Sequence, residues 1–401
     1  MRGSNISARG FALLLTLGLV SLSLLLLLGL VAVIRLETQA TVNSAELAKA
    51  RANARMGLRM AIGQLQRYTG SANGVVTARA DVAGGTWNNP AWTGVWNEGD
   101  TGGAITWLVS GNEVTPLALT PIVAMTGADD VFILKRSLAT SEQVKVRRVV
   151  VSATQPGEAS SRPIARYAYW VSDESLKVSV NVRSDVSPPS GFSNYPVPRT
   201  RSIISALTAE ISDNNRAKIL SVDQLALLGI TGFDRGSVTT LWPSVTANAP
   251  RLYFAEVGAP QLVPGSFNAN SRAQIAWNAY LDNLTLTVSS EDAYNAIRDA
   301  SRPFRSVADF QAKLAANVSI GSVNAATIVN SLAPILGVRG DTFLVRAYGE
   351  TLNPGLDATD PSAVTASAYC EALVQRTPTQ AGAYGYRYVV TYFRWLAPAD
   401  I

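Results

Sequence analysis

Residues 11–34 read FALLLTLGLVSLSLLLLLGLVAVI, without a single charged side chain from Phe11 to Ile34. At a rise of about 1.5 Å per residue this run covers ~36 Å of α-helix, against a hydrocarbon core of about 30 Å, so it is long enough to cross a bilayer. The apolar core of a discarded secretory signal is only about 7–15 residues long. The stretch therefore reads as a retained anchor. It is preceded by a short basic leader, MRGSNISARG, and closed by Arg35 and Glu37.

Outward from the anchor, the chain carries no proline from Thr41 to Tyr68. Leu47, Ala50, Ala54, Leu58, Ala61, Ile62, Leu65 and Tyr68 fall at helical spacing and form one stripe. Lys49, Arg51, Arg55, Arg59 and Arg67 line the opposite face, with Glu46 one turn before Lys49. The pattern predicts one continuous helix from Phe11 to Tyr68, ~87 Å long. Its first half is soluble in lipid and its second half packs on a globular domain. Gly70 and the stretch Ser71-Ala72-Asn73-Gly74 are the expected terminator.

A basic leader, a Gly10-Phe11 junction and a long apolar helix together resemble the type IV pilin and type II secretion pseudopilin superfamily. The resemblance implies cleavage by a prepilin peptidase after Gly10 and N-methylation of the new terminal Phe11. It implies a glutamate at the fifth mature residue, where this chain has Leu15. In the family the subunit lacking that glutamate is typically the large K-type minor pseudopilin at the filament tip. Residues 167–181 add to this. They are similar to the K-type pattern of an alternating strand, an Asp-Glu-Ser-Gly-Lys box and an Ile-Asn-Leu-Asn strand. Asp173, Glu174, Ser175, Lys177 and Asn181 match, whereas Leu176 replaces the glycine and Ser179 an asparagine. Arg302-Pro303-Phe304-Arg305-Ser306-Val307-Ala308-Asp309-Phe310 is similar to a Pro-Phe-x-Ser-Val-x-Glu-Leu piece of the same proteins. Calcium is known in some family members, but its ligands map onto no residues here; no cofactor is assigned, with calcium left open and its ligands unknown.

Charge is distributed unevenly. Residues 1–70 hold 8 Lys+Arg against 2 Asp+Glu, which leaves 26 against 27 for the rest, so the soluble part is nearly neutral. The basic excess belongs to the leader and stalk and argues for anionic headgroups or acidic neighbours along the helix, not for a nucleic-acid domain. Basic residues flank both ends of the span, so charge does not set its orientation. A bacterial inner-membrane, single-pass location, with the C-terminal domain in the periplasm or on the filament, is what the resemblance implies. Cys370 is the only cysteine. It can form no internal disulfide and is expected as a small buried hydrophobe in a strand.

The remainder reads as α+β. The long transmembrane-to-stalk helix is expected to pack on an antiparallel sheet domain with a helical insertion. Strands are expected at 104–109, 130–136, 144–153, 164–172 and 176–182, the last with Leu176, Val178, Val180 and Val182 on one face. Prolines at 188, 189, 196 and 198 mark a joint. Residues from about 201 to 336 lean helical, with capping signals at Ser221-Val222-Asp223-Gln224 and Ser306-Val307-Ala308-Asp309. Strands return at 343–348, 368–376 and 384–395. The organisation is thus a leader (1–10), a transmembrane helix (11–34), an amphipathic stalk (35–70), a β-rich part (71–200), a mostly helical insertion (201–336) and a C-terminal β meander (337–401).

Catalytic signals are sparse. The chain has no histidine, which removes the commonest general base and metal ligand. It has no Gly-rich phosphate loop either. Trp87, Trp92 and Trp96 could form an aromatic platform for a glycan or a partner, although loop residues folded onto the core is the preferred reading. Glu98, Asp100, Asp357 and Asp360 could offer oxygens to calcium, but lack the spacing of a calcium loop and read as turn acids. The expectation is a non-enzymatic minor pilin or pseudopilin that initiates or caps a filament. Its partners would be other pilins or pseudopilins, a prepilin peptidase and the lipid bilayer, with no nucleic acid. The alternative is a single-pass anchored adhesin or ligand-binding protein that forms no filament.

Overall fold

The structure is a computed structural model that describes residues 6–71, 74–136, 138–154, 160–204, 207, 209–231, 233–255 and 258–401. Ala72 and Asn73 of the expected helix terminator lie outside the described residues, as do positions 1–5 of the leader.

One helix, α1 (Ile6–Thr69, 64 residues), opens the chain. At the standard rise it is ~96 Å long. Its second half lies across a five-stranded antiparallel sheet. The strands of this sheet, numbered along the chain, are β1 (Val149–Ala153), β2 (Arg162–Asp173), β3 (Thr342–Leu352), β4 (Val364–Gln380) and β5 (Tyr386–Leu396). Within this sheet each strand pairs with its neighbour in sequence, so the sheet is a meander with β1 and β5 at its edges, and Trp170 of β2 also bridges Val109. Residues 174–341 interrupt that meander between β2 and β3. The fold is α+β.

Period-two alternation sorts the sheet residues into two cores. Tyr169, Val171, Val345, Ala347, Cys370, Ala372 and Val374 face α1 and meet Ala54, Leu58, Ala61 and Leu65. Ala168, Trp170, Leu344 and Tyr348 face the other way, into the larger core built from residues 76–146 and from the interruption. The helix comes very close to the sheet because both surfaces are nearly bare at the crossing. A Cβ on Gly349 of β3 would collide with the backbone of Ala50, Asn53 and Ala54, and one on Gly57 of α1 would press on the carbonyl of Ala168. A glycine inside a strand commonly marks such a close backbone approach.

Among its described residues the interruption holds four helices of eight or more residues: Gln274–Leu281, Ser290–Asp299, Val307–Ala315 and Gly321–Leu332. At the expected capping signal the Gln224 side chain accepts from the Ser221 amide at 3.1 Å, and the Gln224 amide donates to the Ser221 backbone carbonyl at 3.1 Å. The Ser306 hydroxyl accepts from the Asp309 amide at 3.0 Å, but the Asp309 carboxylate accepts from the amide of Arg305, one residue before the cap.

Three expected strands change form. The 144–153 run splits at Arg148 into a strand pairing with Asp130–Leu134 and into β1, in different sheets. Arg148 makes the switch, its amide donating to the Asp129 carbonyl and its guanidinium to Glu350. The 104–109 strand shrinks to Thr106–Trp107. The 176–182 strand shrinks to Val178–Ser179, because the Asp173 side chain caps a 3₁₀ turn over Glu174–Leu176. Leu176, Val178, Val180 and Val182 are all buried, but so are Lys177 and Ser179, so both faces of this segment are covered.

Candidate functional site

The lower half of α1 offers the largest unburied apolar surface among the described residues. Phe11 is 69% exposed, Leu15 59% and Leu26 69%, and none of the described residues packs over them. By length and composition the helix is long and apolar enough to cross a membrane. Its few hydroxyls are satisfied internally: Thr16 donates to the Leu13 carbonyl at 2.9 Å, Ser21 to Gly18 at 3.0 Å and Ser23 to Leu19 at 2.8 Å. No polar group of these side chains is then left to be desolvated unpaired in hydrocarbon. Gly10 lies within α1, which runs unbroken across the Gly10-Phe11 junction.

The upper half is fastened by polar contacts as well as by packing. Asn53 donates to the Glu350 carbonyl at 3.0 Å. Gln66 donates to the carbonyls of Tyr384 at 2.7 Å and Tyr386 at 3.0 Å and accepts from the Tyr388 amide, closing the outer edge of β5 where it begins. Thr69 and the Tyr388 hydroxyl lie 2.8 Å apart. Of the predicted stripe, Ala50, Ala54, Leu58, Ala61 and Leu65 are buried, whereas Leu47, at its lower end, is exposed. Cys370 is buried beneath Ala54, and burial pushes its thiol up to about 12.

Asp173 sits where the chain leaves the main sheet for the interruption, and it joins four segments. One carboxylate oxygen accepts from the Ser175 amide at 2.9 Å and hydroxyl at 2.6 Å; the other accepts from Thr77 Oγ1 at 2.6 Å and Asn268 Nδ2 at 3.3 Å. Thr77 Oγ1 in turn accepts from the Gly340 amide at 2.8 Å, where the chain returns to β3. A Cβ on Gly340 would overlap the Asp173 carboxylate. Burial raises the Asp173 carboxyl to about 6, against the pull of its donors, with those from Ser175 and Thr77 the strongest.

Glu174 and Lys177 form a buried ion pair at 2.7 Å, with the Lys177 ammonium 4.0 Å from the Trp242 ring centroid. Asn181 accepts from Ser179 at 3.0 Å. These residues lock the exit and re-entry of a large interruption, and none of the five presents a reactive group to solvent.

Trp92 and Trp96 belong to the core rather than to an outward platform. Trp92 donates its indole N–H to the Lys145 carbonyl at 3.1 Å, Trp96 meets Trp107 edge-on at 5.5 Å, and Trp87 is half-buried against Trp107. Their hydrophobic bulk outweighs any surface role. Three of the turn acids, Asp100, Asp357 and Asp360, cap their own turns, whereas Glu98 reaches across the end of the Val75–Asn97 strand pair. Glu98 accepts from the Gly74 amide, Asp100 from Gly102, Asp357 from Thr359 and Asp360 from Ser362. Among the described residues no group of three or more His, Cys, Asp or Glu side chains is placed to hold a metal ion.

Two charged clusters escaped the sequence reading. Glu350, fully buried in β3, is held by Arg166 and by Arg148 at 3.1 Å, and accepts from the Tyr348 hydroxyl. Glu371 of β4 bridges Arg346 at 2.7 Å and Arg394 at 2.8 Å. Their only signal was isolated charged residues, Arg346 and Glu350 in β3 and Glu371 in β4, among apolar strand neighbours.

No protein-family model matches the chain, and no curated protein matches it. Among solved structures, it is similar to a chain in the crystal structure of the GspK-GspI-GspJ complex from the enterotoxigenic Escherichia coli type 2 secretion system. The two are 12% identical, the match covers 60% of this chain and 84% of that one, and the TM-score is 0.31.

Proposed function

We propose that this protein is a non-enzymatic minor pilin or pseudopilin, anchored by Phe11 to Ile34 and assembled through that helix at the tip of a short filament. One observation carries the reading. A single unbroken helix is bare and apolar over its first half and built into a sheet over its second. An apolar rod rigidly bearing a head is what is needed for a subunit that rests in a bilayer and is then bundled with like rods, whose association is driven by packing.

In this reading a prepilin peptidase cuts between Gly10 and Phe11, and Phe11 becomes the methylated terminus. The head stands on the periplasmic side of the inner membrane. Leu15, with no carboxylate to offer a neighbour's terminal amine, suits a subunit that has none above it, so the chain initiates or caps the filament. The residues around Asp173 have an architectural role. The adhesin alternative loses its ligand platform, because Trp92 and Trp96 are core residues.

Mass spectrometry of the native N-terminus tests the proposal. A chain starting at methylated Phe11 is expected, with Gly10→Leu leaving the leader attached. An intact Met1 in the wild type, or trimming downstream of Ile34, overturns it.

A further inference from the structure

The main sheet is wider than the helix that covers it. α1 lies over β2, β3 and β4, and β5 projects past its flank. The two run side by side in opposite directions: Arg51 lies 5.2 Å from the Trp395 ring centroid, Arg55 lies 5.9 Å from that of Phe393, and Gln66 reaches Tyr386 and Tyr388. Between them is a groove of about 300 Å³ lined by Arg55, Leu58, Arg59, Ile62, Val390 and Phe393. Val390 is 44% exposed. The groove has an apolar floor and a rim of guanidinium groups.

Charge narrows the occupant. From Leu47 to Thr69 the helix carries Lys49, Arg51, Arg55, Arg59 and Arg67 and no Asp or Glu. A second copy of this chain laid along the groove would set arginines against arginines, and like charges repel. Lipid is out of reach for an upright rod. Arg51 stands ~25 Å and Arg67 ~50 Å beyond Ile34, whereas headgroups extend about 5–7 Å past the hydrocarbon and the Debye length is about 8 Å.

We infer that this groove receives an amphipathic helix of a different subunit, one whose apolar strip is flanked by aspartates or glutamates. The geometry is that of a helix laid into an apolar groove. The assignment rests on the proposed function only in taking the rod as upright from a bilayer.

The test uses the full-length protein in neutral detergent and three fluorescent 18-residue helical peptides with one leucine strip, flanked by Glu, Gln or Lys. Anisotropy is expected to show the Glu peptide binding at least tenfold tighter than the Lys peptide, with affinity falling as salt rises. Arg59→Glu should weaken it by about tenfold, and so should Val390→Arg, which fills the groove. Both positions are exposed, and melting curves are to be recorded to check that the variants fold. Equal binding of the Glu and Lys peptides, indifference to both substitutions, competition by phosphatidylglycerol added to the micelles, or a homodimer lost in Val390→Arg would each overturn the inference. The N-terminus is measured on the same sample. Selective binding by a chain that keeps Met1 would sink the filament reading and leave the groove standing, while a methylated Phe11 without selective binding would do the reverse.

Discussion

The two halves of α1 share one backbone and differ in almost everything else. Below Ile34 the side chains are leucine-rich all round and exposed, and a Cβ added at Gly18 or Gly29 would meet nothing within 4 Å. Above Lys49 one face is stripped to Ala50, Ala54, Gly57 and Ala61, so that sheet and helix backbones nearly touch. The contrast teaches what each half is for. A helix that is hydrophobic all round seeks an apolar surrounding, whereas a small-residue face fixes one position on one surface.

The largest effect is expected in the sheet that carries the upper half, at the ion cluster on its far face. Glu350→Ala leaves Arg166 and Arg148 facing a hole, and losing one partner of a buried pair costs about 3–5 kcal/mol. Denaturant titration in detergent should show it. Gly349→Val comes next. Its side chain would strike the backbone of Ala54, and a loss of about 3 kcal/mol is expected, while Gly18→Val should leave the head's unfolding midpoint unchanged.

The third prediction asks whether the head's own pH response is independent of the rod. Folded Asp173 keeps its proton until about pH 6, whereas in the unfolded chain it is lost near pH 4, at about 3.9. Between these values the folded state binds more protons, so stability falls as pH rises from about 4 to 6 and stays at the lower level above. The contribution is about 2–3 kcal/mol. Urea midpoints measured across that window should lose this slope in Asp173→Asn, with or without the Gly18 substitution. The smallest effect sharpens the comparison directly. Leu58→Ala, in the buried half, should cost about 2 kcal/mol, and Leu24→Ala, in the bare half, less than about 0.5 kcal/mol.

Local pattern made the rod and the long strands readable. The strands expected at 343–348, 368–376 and 384–395 overlap β3, β4 and β5, and the predicted helix falls short of α1 by only five residues at its start and one at its end. These elements are long and periodic, and periodicity is a property of neighbours in sequence. What was not readable depends on partners far along the chain. Asp173 acquires its role from Thr77, Asn268 and Gly340, and Glu350 from Arg148 and Arg166; no spacing announces either set. The 176–182 strand failed for the same reason, because a side-chain cap from Asp173 overrode a clean alternation. The tryptophans were visible as a cluster, but composition does not say which way a loop folds.

Because the ladder of backbone hydrogen bonds in α1 is continuous from Ile6 to Thr69 and the sheet is locked to it at Gly349, the molecule has no hinge between its two halves. A rigid rod of this kind transmits displacement and rotation along its length. A stroke of about 5 Å along the axis at the membrane end, one helical turn, lifts the head by the same distance, and a twist of the rod turns the head through the same angle.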